Sequence, residues 1–231
     1  MVTKRCVLSS IIDACYDIHA QREAVMKRTV TENIEEFETV YTKIDETEID
    51  GVKAIRALKV DKIMQFDENT IVKLKDCDFH NGIIRVKMLS RLLADAPDFA
   101  RGFIGIVYRV NENSSEFESF YTRPTNGMSD DPIRRSHGCQ YFSYPGYTFA
   151  YFREFGITGY EAPIRYGLDE WVQLTAVIED EKAAFYLNEE TEPVLTVSDM
   201  KHGKDARGSV GFFCEIGTEA FFRDLEIEFK D

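Results

Sequence analysis

The 231-residue sequence lacks any apolar run long enough to cross a membrane. Its longer apolar runs, such as residues 104–108, are far shorter than the roughly 18 residues that a transmembrane helix needs. Near the start, Asp13 and Asp17 interrupt the apolar stretch that a signal peptide requires. We therefore expect no membrane span and no signal peptide, and we expect a cytoplasmic location.

The sequence also lacks the cysteine and ligand spacings of disulfide scaffolds and metal sites. Its five cysteines are odd in number and form no Cys-x-x-Cys pair, which favours free thiols. Cys77 and His80 are spaced like metal ligands, but no second pair completes a tetrahedral zinc site. Phosphate-binding and dinucleotide-binding glycine motifs are missing, as is a Ser-His-Asp pattern. We expect neither a metal nor an organic cofactor.

Positive charge is scarce, with 28 Lys and Arg residues against 41 Asp and Glu residues and a net charge of −13. A surface with this excess of acid repels phosphate backbones and anionic lipid head groups. Nucleic acids and membrane surfaces are therefore excluded as expected partners, whereas neutral or cationic ligands remain compatible.

One segment has a helical period. Between residues 9 and 27, apolar side chains recur at the three- and four-residue spacing of an amphipathic helix. The stripe consists of Ile11, Ala14, Cys15, Ile18, Arg22, Val25 and Met26. We predict a helical extension over residues 1–36, which ends in a polar linker, and one domain over residues 37–231. The helix is expected to dock on this domain or on a partner.

From residue 37 onward the pattern is that of short β-strands separated by polar turns, with no alternating helices. Strands are predicted at residues 37–43, 52–60, 70–75, 83–89, 103–110, 116–123, 139–143, 147–153, 171–179, 183–188, 193–197, 208–214 and 220–229. Turns are predicted at residues 46–50, at Asn81-Gly82 and at residues 180–182. The pattern predicts an all-β, two-sheet antiparallel jelly-roll sandwich.

Two patterns carry a resemblance to a known superfamily. They are Glu118-x-x-Tyr121-x-Arg123-Pro124 followed by Gln140-Tyr141, and Trp171, Asn188, Gly208-x-Val210-Gly211 and Ala220-Phe221 in that order. From residue 37 to residue 229 the sequence resembles the concanavalin A-like lectin/glucanase superfamily, and most of all a bacterial family of unknown function described as 3-keto-disaccharide hydrolase-like. The resemblance implies two curved sheets whose concave face meets carbohydrate.

This resemblance implies a carbohydrate-active sandwich that binds or hydrolyses a sugar or a modified glycoside. The alternative is a non-catalytic ligand-binding or structural accessory domain. The Glu-x-Asp-x-x-Glu motif of the superfamily's glucanases is missing, and the acidic residues 46–50 have a different order. Legume-lectin metal signatures are missing too. Hydrolysis of the glucanase type is therefore not expected, and only Glu118 and His137 remain as weak catalytic candidates.

The candidate binding site combines aromatic and arginine side chains, because rings stack on sugar C–H faces while arginine binds hydroxyl groups. Tyr147, Tyr151 and Arg153 share one face of a predicted strand at a period of two. Tyr121 and Arg123 share a face of the strand predicted at residues 116–123. We expect these five side chains to form an exposed platform that takes a carbohydrate or another small neutral ligand.

The long loop at residues 124–138 is predicted to contribute Arg135 and His137, with His137 as a possible general base. A solvated loop is the alternative. The tyrosines of the platform have an alternative as core residues between the sheets. Arg123 has an alternative as a structural residue, paired across a bulge with a buried carboxylate such as Glu118, which strand alternation places on the opposite face.

Overall fold

The computed structural model describes residues 26–60 and 68–230. In chain order the strands are β1 (Met26–Val30), β2 (Phe37–Val40), β3 (Thr42–Ile49), β4 (Val52–Lys59), β5 (Ile71–Leu74), β6 (Asn81–Leu92), β7 (Ile104–Val110), β8 (Phe117–Thr122), β9 (Cys139–Tyr144), β10 (Glu161–Ala162), β11 (Val172–Glu179), β12 (Lys182–Leu187), β13 (Leu195–Val197), β14 (Ser209–Cys214) and β15 (Thr218–Lys230). The α-helices are short: α1 (Pro124–Gly127), α2 (Pro132–Ser136) and α3 (Phe149–Glu154). A 3-10 turn spans Ile34–Glu36.

The strands form two sheets whose described pairings are all antiparallel. The first sheet has the order β13-β12-β11-β6-β15-β4-β3, and β1 also pairs with β15. The second sheet has the order β10-β9-β8-β7-β14-β5-β2. The predicted all-β, two-sheet antiparallel sandwich is confirmed.

Strand alternation creates the core between the sheets. In β11 the side chains of Val172, Leu174, Ala176 and Ile178 are buried, while the residues between them are half-exposed. Aromatic side chains from the two sheets meet in pairs. Phe120 stacks on Phe185 with ring centroids 4.3 Å apart, and Phe212 stacks on Phe222 at the same distance. These contacts fix the two sheets face to face.

The second sheet is also buried on its outward face. We call the apolar side chains there the outer aromatic layer: Ile71, Val107, Val110, Phe117, Tyr121, Phe142 and Phe213. Each is at most 3% exposed. Their rings contact one another, as Phe142 does with Phe117 and with Phe213. The central strands β7, β8 and β14 are therefore buried on both sides, and all of their residues are buried.

Several local predictions were wrong, because pairing partners in the sheets decide where a strand begins and ends. The acidic residues 46–50 are not a turn, since β3 pairs with β4 from Thr42 to Ile49 and only Asp50 and Gly51 turn the chain. Asn81 and Gly82 belong to β6, where Gly82 faces Ile178. The strand predicted at residues 37–43 breaks at Tyr41, which has a positive φ of 48°.

The predicted strand at residues 147–153 is also wrong, since Phe149–Glu154 forms the helix α3. The loop at residues 124–138 contains the helices α1 and α2. At the other end of the sequence, the predicted polar linker includes part of β1, and Met26 already pairs with Phe229. The helix was predicted over residues 9–27. Its residues 9–25 lie outside the described part of the chain, and residues 26 and 27 belong to β1.

Candidate functional site

A cavity lies at one end of the outward face of the second sheet. Because β7 runs antiparallel to both β8 and β14, the start of β7 meets the ends of those two strands here. Helix α3 adds two further side chains. The cavity has a volume of about 260 Å³. We call it the arginine–aromatic cavity, and its lining consists of Phe99, Phe103, Tyr121, Phe149, Phe213, Arg101, Arg123, Arg153, Asn126 and Glu215.

A glycine allows two rings of the cavity wall to meet. Gly105 lies between Tyr121 on β8 and Phe213 on β14. A Cβ atom at Gly105 would come within 2.7 Å of the Tyr121 Cβ atom. Because glycine leaves this space open, the rings of Tyr121 and Phe213 approach to 5.3 Å between centroids. The aromatic wall therefore depends on the absence of a side chain at residue 105.

Arg123 is held in place by a buried network of polar groups. Its Nη1 donates to Glu161 Oε1 at 2.7 Å, and its Nη2 donates to the Tyr121 hydroxyl at 2.6 Å and to Gln140 Oε1. Burial alone would lower the pKa of Arg123, but the Tyr121 hydroxyl and the Glu161 carboxylate raise it above its ordinary value. The guanidinium therefore stays charged at this end of the sheet.

Glu161 forms hydrogen bonds with the side chains of two arginines and one histidine. Besides Arg123, it accepts a hydrogen bond from Arg153 Nη2 at 3.2 Å, and its Oε2 lies 2.8 Å from His137 Nδ1. Burial by itself would raise the pKa of Glu161, but Arg123, Arg153 and His137 together lower it below its ordinary value. A single carboxylate on the short strand β10 therefore fixes side chains from the residue after β8, from the C-terminal cap of α2 and from α3.

Arg101 enters the cavity from the segment before β7. Its Nη1 donates to the backbone oxygens of Asp98 and Ala100, at 2.6 and 2.8 Å. Arg134 lies nearby, with Nε donating to Asn126 Oδ1 at 2.9 Å. Burial and the positive charges of Arg134 and Arg123 lower the pKa of Arg101, with Asp98 acting in the opposite direction. This end of the cavity is thus a region of concentrated positive charge.

The structure brings together only part of the predicted binding set. Tyr121, Arg123 and Arg153 line the arginine–aromatic cavity. Tyr121 and Arg123 are only 3% and 5% exposed, so neither is the exposed platform residue that we expected. The prediction that Arg123 has a structural carboxylate partner is right in kind, but Glu161 is the partner that the structure shows, and it is not the predicted Glu118.

The other predicted site residues lie elsewhere. Tyr147 and Tyr151 do not line the cavity but pack partly buried against the main core, because α3 replaces the strand that would have aligned them with Arg153. Arg135 is exposed on α2. His137 lines a neighbouring cavity of about 340 Å³, which shares Arg153 and Glu161 as lining residues. Arg153 lines both cavities and stands between them.

Glu118 is fully buried on the core side of the second sheet. It accepts hydrogen bonds from the Tyr141 hydroxyl and, at 2.9 Å, from the backbone N–H of His202. Burial raises its pKa, while these two hydrogen bonds act in the opposite direction. The expected opposition of Glu118 and Arg123 across the strand is confirmed, and Glu118 lines neither of the two cavities.

Three important residues in and beside the cavity were missed from the sequence. Arg101 stands in an irregular segment and Glu161 on the two-residue strand β10, with no motif around either, and Phe213 lies in a strand whose residues are all buried. Only strand pairing brings them together, since they are far apart in the chain. The Tyr-x-Arg pattern at Tyr121 and Arg123 was the one sequence signal that pointed to this end of the sheet.

The described residues contain no group of three or more His, Cys, Asp and Glu side chains arranged to hold a metal ion. Within residues 26–60 and 68–230, no helix has the length and apolarity to cross a membrane. Cys77, Cys139 and Cys214 are free thiols, while Cys6 and Cys15 lie outside the described residues. Burial raises the pKa of Cys139 to about 12, so this thiol stays protonated.

Comparison with known proteins shows the fold. No family model matches the sequence, and no curated protein matches it. The carbohydrate-binding module CBM66 from Bacillus subtilis is similar with a TM-score of 0.55 at 11% identity, over 83% of this chain and 95% of that chain. A Bacillus subtilis protein of unknown function with a galectin-like fold gives a TM-score of 0.51 at 10% identity, over 88% and 98% of the two chains.

A third solved structure, the Crh5 transglycosylase in complex with NAG, gives a TM-score of 0.51 at 12% identity, over 89% of this chain and 84% of that chain. At these identities the likeness is one of fold. The predicted two-sheet antiparallel β-sandwich is therefore confirmed as an architecture.

Proposed function

We propose that the chain is a carbohydrate-binding β-sandwich whose ligand occupies the arginine–aromatic cavity. The observation that carries this proposal is the composition of the cavity wall, where five aromatic rings stand beside three arginines and one asparagine. Apolar rings with a few fixed polar groups are the usual composition of small-molecule sites.

The wall suits a sugar because a pyranose ring has apolar C–H faces and polar edges. Phe103, Tyr121 and Phe213 line the wall with their rings. The exposed Arg153 supplies donors at the rim, and the buried Arg123 supplies them from the wall. Arg123 is held by Glu161, Tyr121 and Gln140, so its position is fixed before a ligand binds. A donor that is already ordered loses less conformational entropy on binding.

The fold supports the same proposal. Of the similar structures, one is a carbohydrate-binding module and another is a transglycosylase in complex with NAG. Proteins with this fold therefore include some that bind sugars. Because fold alone does not determine function, the proposal depends on the cavity.

A second candidate function is hydrolysis of a modified glycoside, as the resemblance to the 3-keto-disaccharide hydrolase-like family implies. The observation in its favour is the pair formed by His137 and Glu161, 2.8 Å apart, at the wall of the neighbouring cavity. A carboxylate beside a histidine orients the imidazole for proton transfer. Turnover of a chromogenic glycoside that is lost in His137→Gln would support this candidate, and its absence across a broad panel would reject it.

Binding is tested on a glycan array, followed by titration calorimetry with each glycan that binds. We expect Arg153→Gln to weaken binding about tenfold or more, since a hydrogen bond from a charged group is worth about 1.5–3 kcal/mol. Arg207→Gln is the matched control, because Arg207 is an arginine with a 59% exposed side chain outside this cavity. No glycan bound by the wild-type protein, or equal affinity in Arg153→Gln, would reject the proposed site.

A further inference from the structure

We propose that the arginine–aromatic cavity selects a sugar that carries a carboxylate, such as a hexuronic acid. This inference rests on the proposed sugar-binding function and names the class of sugar. It also reverses our expectation of a neutral ligand, which came from the net charge of the whole chain.

The first step is the charge balance at the cavity wall. Three arginines line it, against one carboxylate, Glu215. Glu215 forms an ion pair with Lys59, and Glu161 forms ion pairs with both Arg123 and Arg153. Neither carboxylate pairs with Arg101 among the described residues. The cavity therefore has an excess of positive charge, although the chain as a whole has a net charge of −13.

The second step is the orientation of the Arg101 guanidinium. Its two hydrogen bonds, to the backbone oxygens of Asp98 and Ala100, both use Nη1. Within the described part of the chain, Nε and Nη2 make no hydrogen bond. These two nitrogens form one edge of the planar guanidinium, and this edge matches the two oxygens of a carboxylate. Arg101 can therefore bind a carboxylate with two parallel hydrogen bonds.

The third step is the electrostatic environment of Arg101. Arg134 and Arg123 are close enough that their charges, together with burial, lower the pKa of Arg101. A bound anion removes this repulsion, whereas a neutral sugar leaves it in place. The cavity therefore gains more from a charged ligand than from a neutral one of the same shape.

The last step is the size and shape of the ligand. The cavity volume of about 260 Å³ lies just below the roughly 300–1,000 Å³ typical of small-molecule sites. One sugar ring suits this space better than a long chain does. Phe103, Tyr121 and Phe213 provide surfaces for the ring, and Arg101 binds the group attached to it. The carboxylate carbon of a hexuronic acid is bonded directly to the sugar ring, whereas the sulfur of a 6-sulfate lies two bonds farther from the ring, so the two groups differ in how they reach Arg101.

The experiment compares matched ligands by titration calorimetry. D-glucuronate, D-galacturonate and D-mannuronate are each measured beside the parent hexose, the neutral uronamide and the 6-sulfate, with acetate as a carboxylate that lacks a ring. We expect at least one uronate to bind about tenfold or more tightly than its hexose and its uronamide. We also expect this preference to fall as sodium chloride is raised, because exposed charge interactions are screened.

Variants assign the effect to Arg101. Arg101→Gln should remove the preference for the uronate over its parent hexose and over its uronamide. Arg101→Lys keeps the charge but not the forked edge, so it should retain only part of the preference. Arg207→Gln, the control outside the cavity, should behave as the wild-type protein. If Arg101→Gln does not fold, Arg101→Lys and the salt dependence of the wild-type protein provide the test.

The outcomes separate this inference from the proposed function. If a neutral hexose or a neutral glycan on the array binds as tightly as any uronate, sugar binding stands and the acidic-sugar inference is overturned. If the 6-sulfate binds as tightly as the uronate, selection of a carboxylate is overturned. If acetate binds as tightly as the uronate, or if no sugar binds at all, the proposed function fails and the inference fails with it.

Discussion

The outward faces of the two sheets are built on the same strand geometry from different side chains. On the first sheet, ion pairs join neighbouring strands, such as Arg56 with Glu219 at 2.7 Å and Arg85 with Glu228 at 2.6 Å. On the second sheet, the outer aromatic layer occupies the corresponding positions and is at most 3% exposed. The first face is suited to water, whereas the second behaves as an additional core that ends in a cavity.

Arginine illustrates the difference between the faces. Arg223 on the first sheet lies over the ring of Trp171, 4.4 Å from its centroid, and Trp171 itself packs against a small apolar cluster. Arg123, directly after β8 of the second sheet, is 5% exposed and is fixed by Glu161, Tyr121 and Gln140. The same residue type therefore covers a surface on one face and forms the wall of a candidate site on the other.

The largest expected effect comes from truncating a ring of the outer aromatic layer. Phe142→Ala should lower the free energy of unfolding by about 3–5 kcal/mol, because Phe142 is 1% exposed and contacts three other rings. Urea denaturation measures the change. Phe155→Ala is the control, since Phe155 is 62% exposed and should change stability by less than about 1 kcal/mol. Equal effects of the two variants would show that the outward layer is not a second core.

The next effect should come from the carboxylate that holds the arginines. Glu161→Gln should cost about 3 kcal/mol, at the lower end of the range for a broken buried ion pair, because it leaves Arg123 without its partner. Urea denaturation near neutral pH measures this change. Arg207→Gln is the control, since Arg207 lies outside the cavity and has an exposed side chain. A change below about 0.5 kcal/mol would mean that Tyr121 and Gln140 are enough to hold Arg123.

A smaller, pH-dependent effect should follow from the same carboxylate. The pKa of Glu161 in the folded protein lies below its ordinary value of 4.5. A lowered folded-state pKa stabilises the fold fully above the unfolded-state pKa, and this stabilisation is lost as the pH falls through the folded-state pKa. The difference in unfolding free energy between wild type and Glu161→Gln should therefore shrink as the pH is lowered below about 4.5. A difference that stays constant down to pH 3 would contradict the assigned pKa direction.

The smallest expected effect lies on the first sheet. Arg56→Gln removes ion pairs with Glu219 and Asp45 on a partly exposed face, so it should lower the unfolding free energy by less than about 1 kcal/mol. Raising the salt concentration should reduce the difference from wild type further. A loss as large as that of Glu161→Gln would remove the distinction between the two faces.

Alternation and composition predicted most of the fold. The sequence pattern predicted three features that the structure has. These are the alternation of β11, its hairpin connection to β12 and the mostly apolar strand β7. The errors lie where two structures fit the same residues. The segment around Tyr147 and Tyr151 has a period of two, yet residues 149–154 are helical, because the chain turns after β9 and Phe152 packs into the core from a helix.

The candidate site was only partly predictable for a related reason. Tyr121 lies on β8 and Arg123 directly follows this strand, so the period of two in the sequence already placed them on a shared face. Arg101 reaches the same region through an irregular segment and Glu161 through the two-residue strand β10, and neither has a local pattern that indicates its partner.

The sequence by itself determined the strand content, the two-sheet sandwich and the acidic net charge, because these depend on local alternation and on composition. The tertiary structure decided which outward face is aromatic and which arginines stand together. Antiparallel pairing places the start of β7 beside the ends of β8 and β14, so Arg101, Arg123 and Phe213 become neighbours although they are distant in the chain. Coulomb interactions weaken with distance, so the electrostatic potential in the cavity is set mainly by the charges nearest to it. An acidic chain can therefore contain a positively charged cavity.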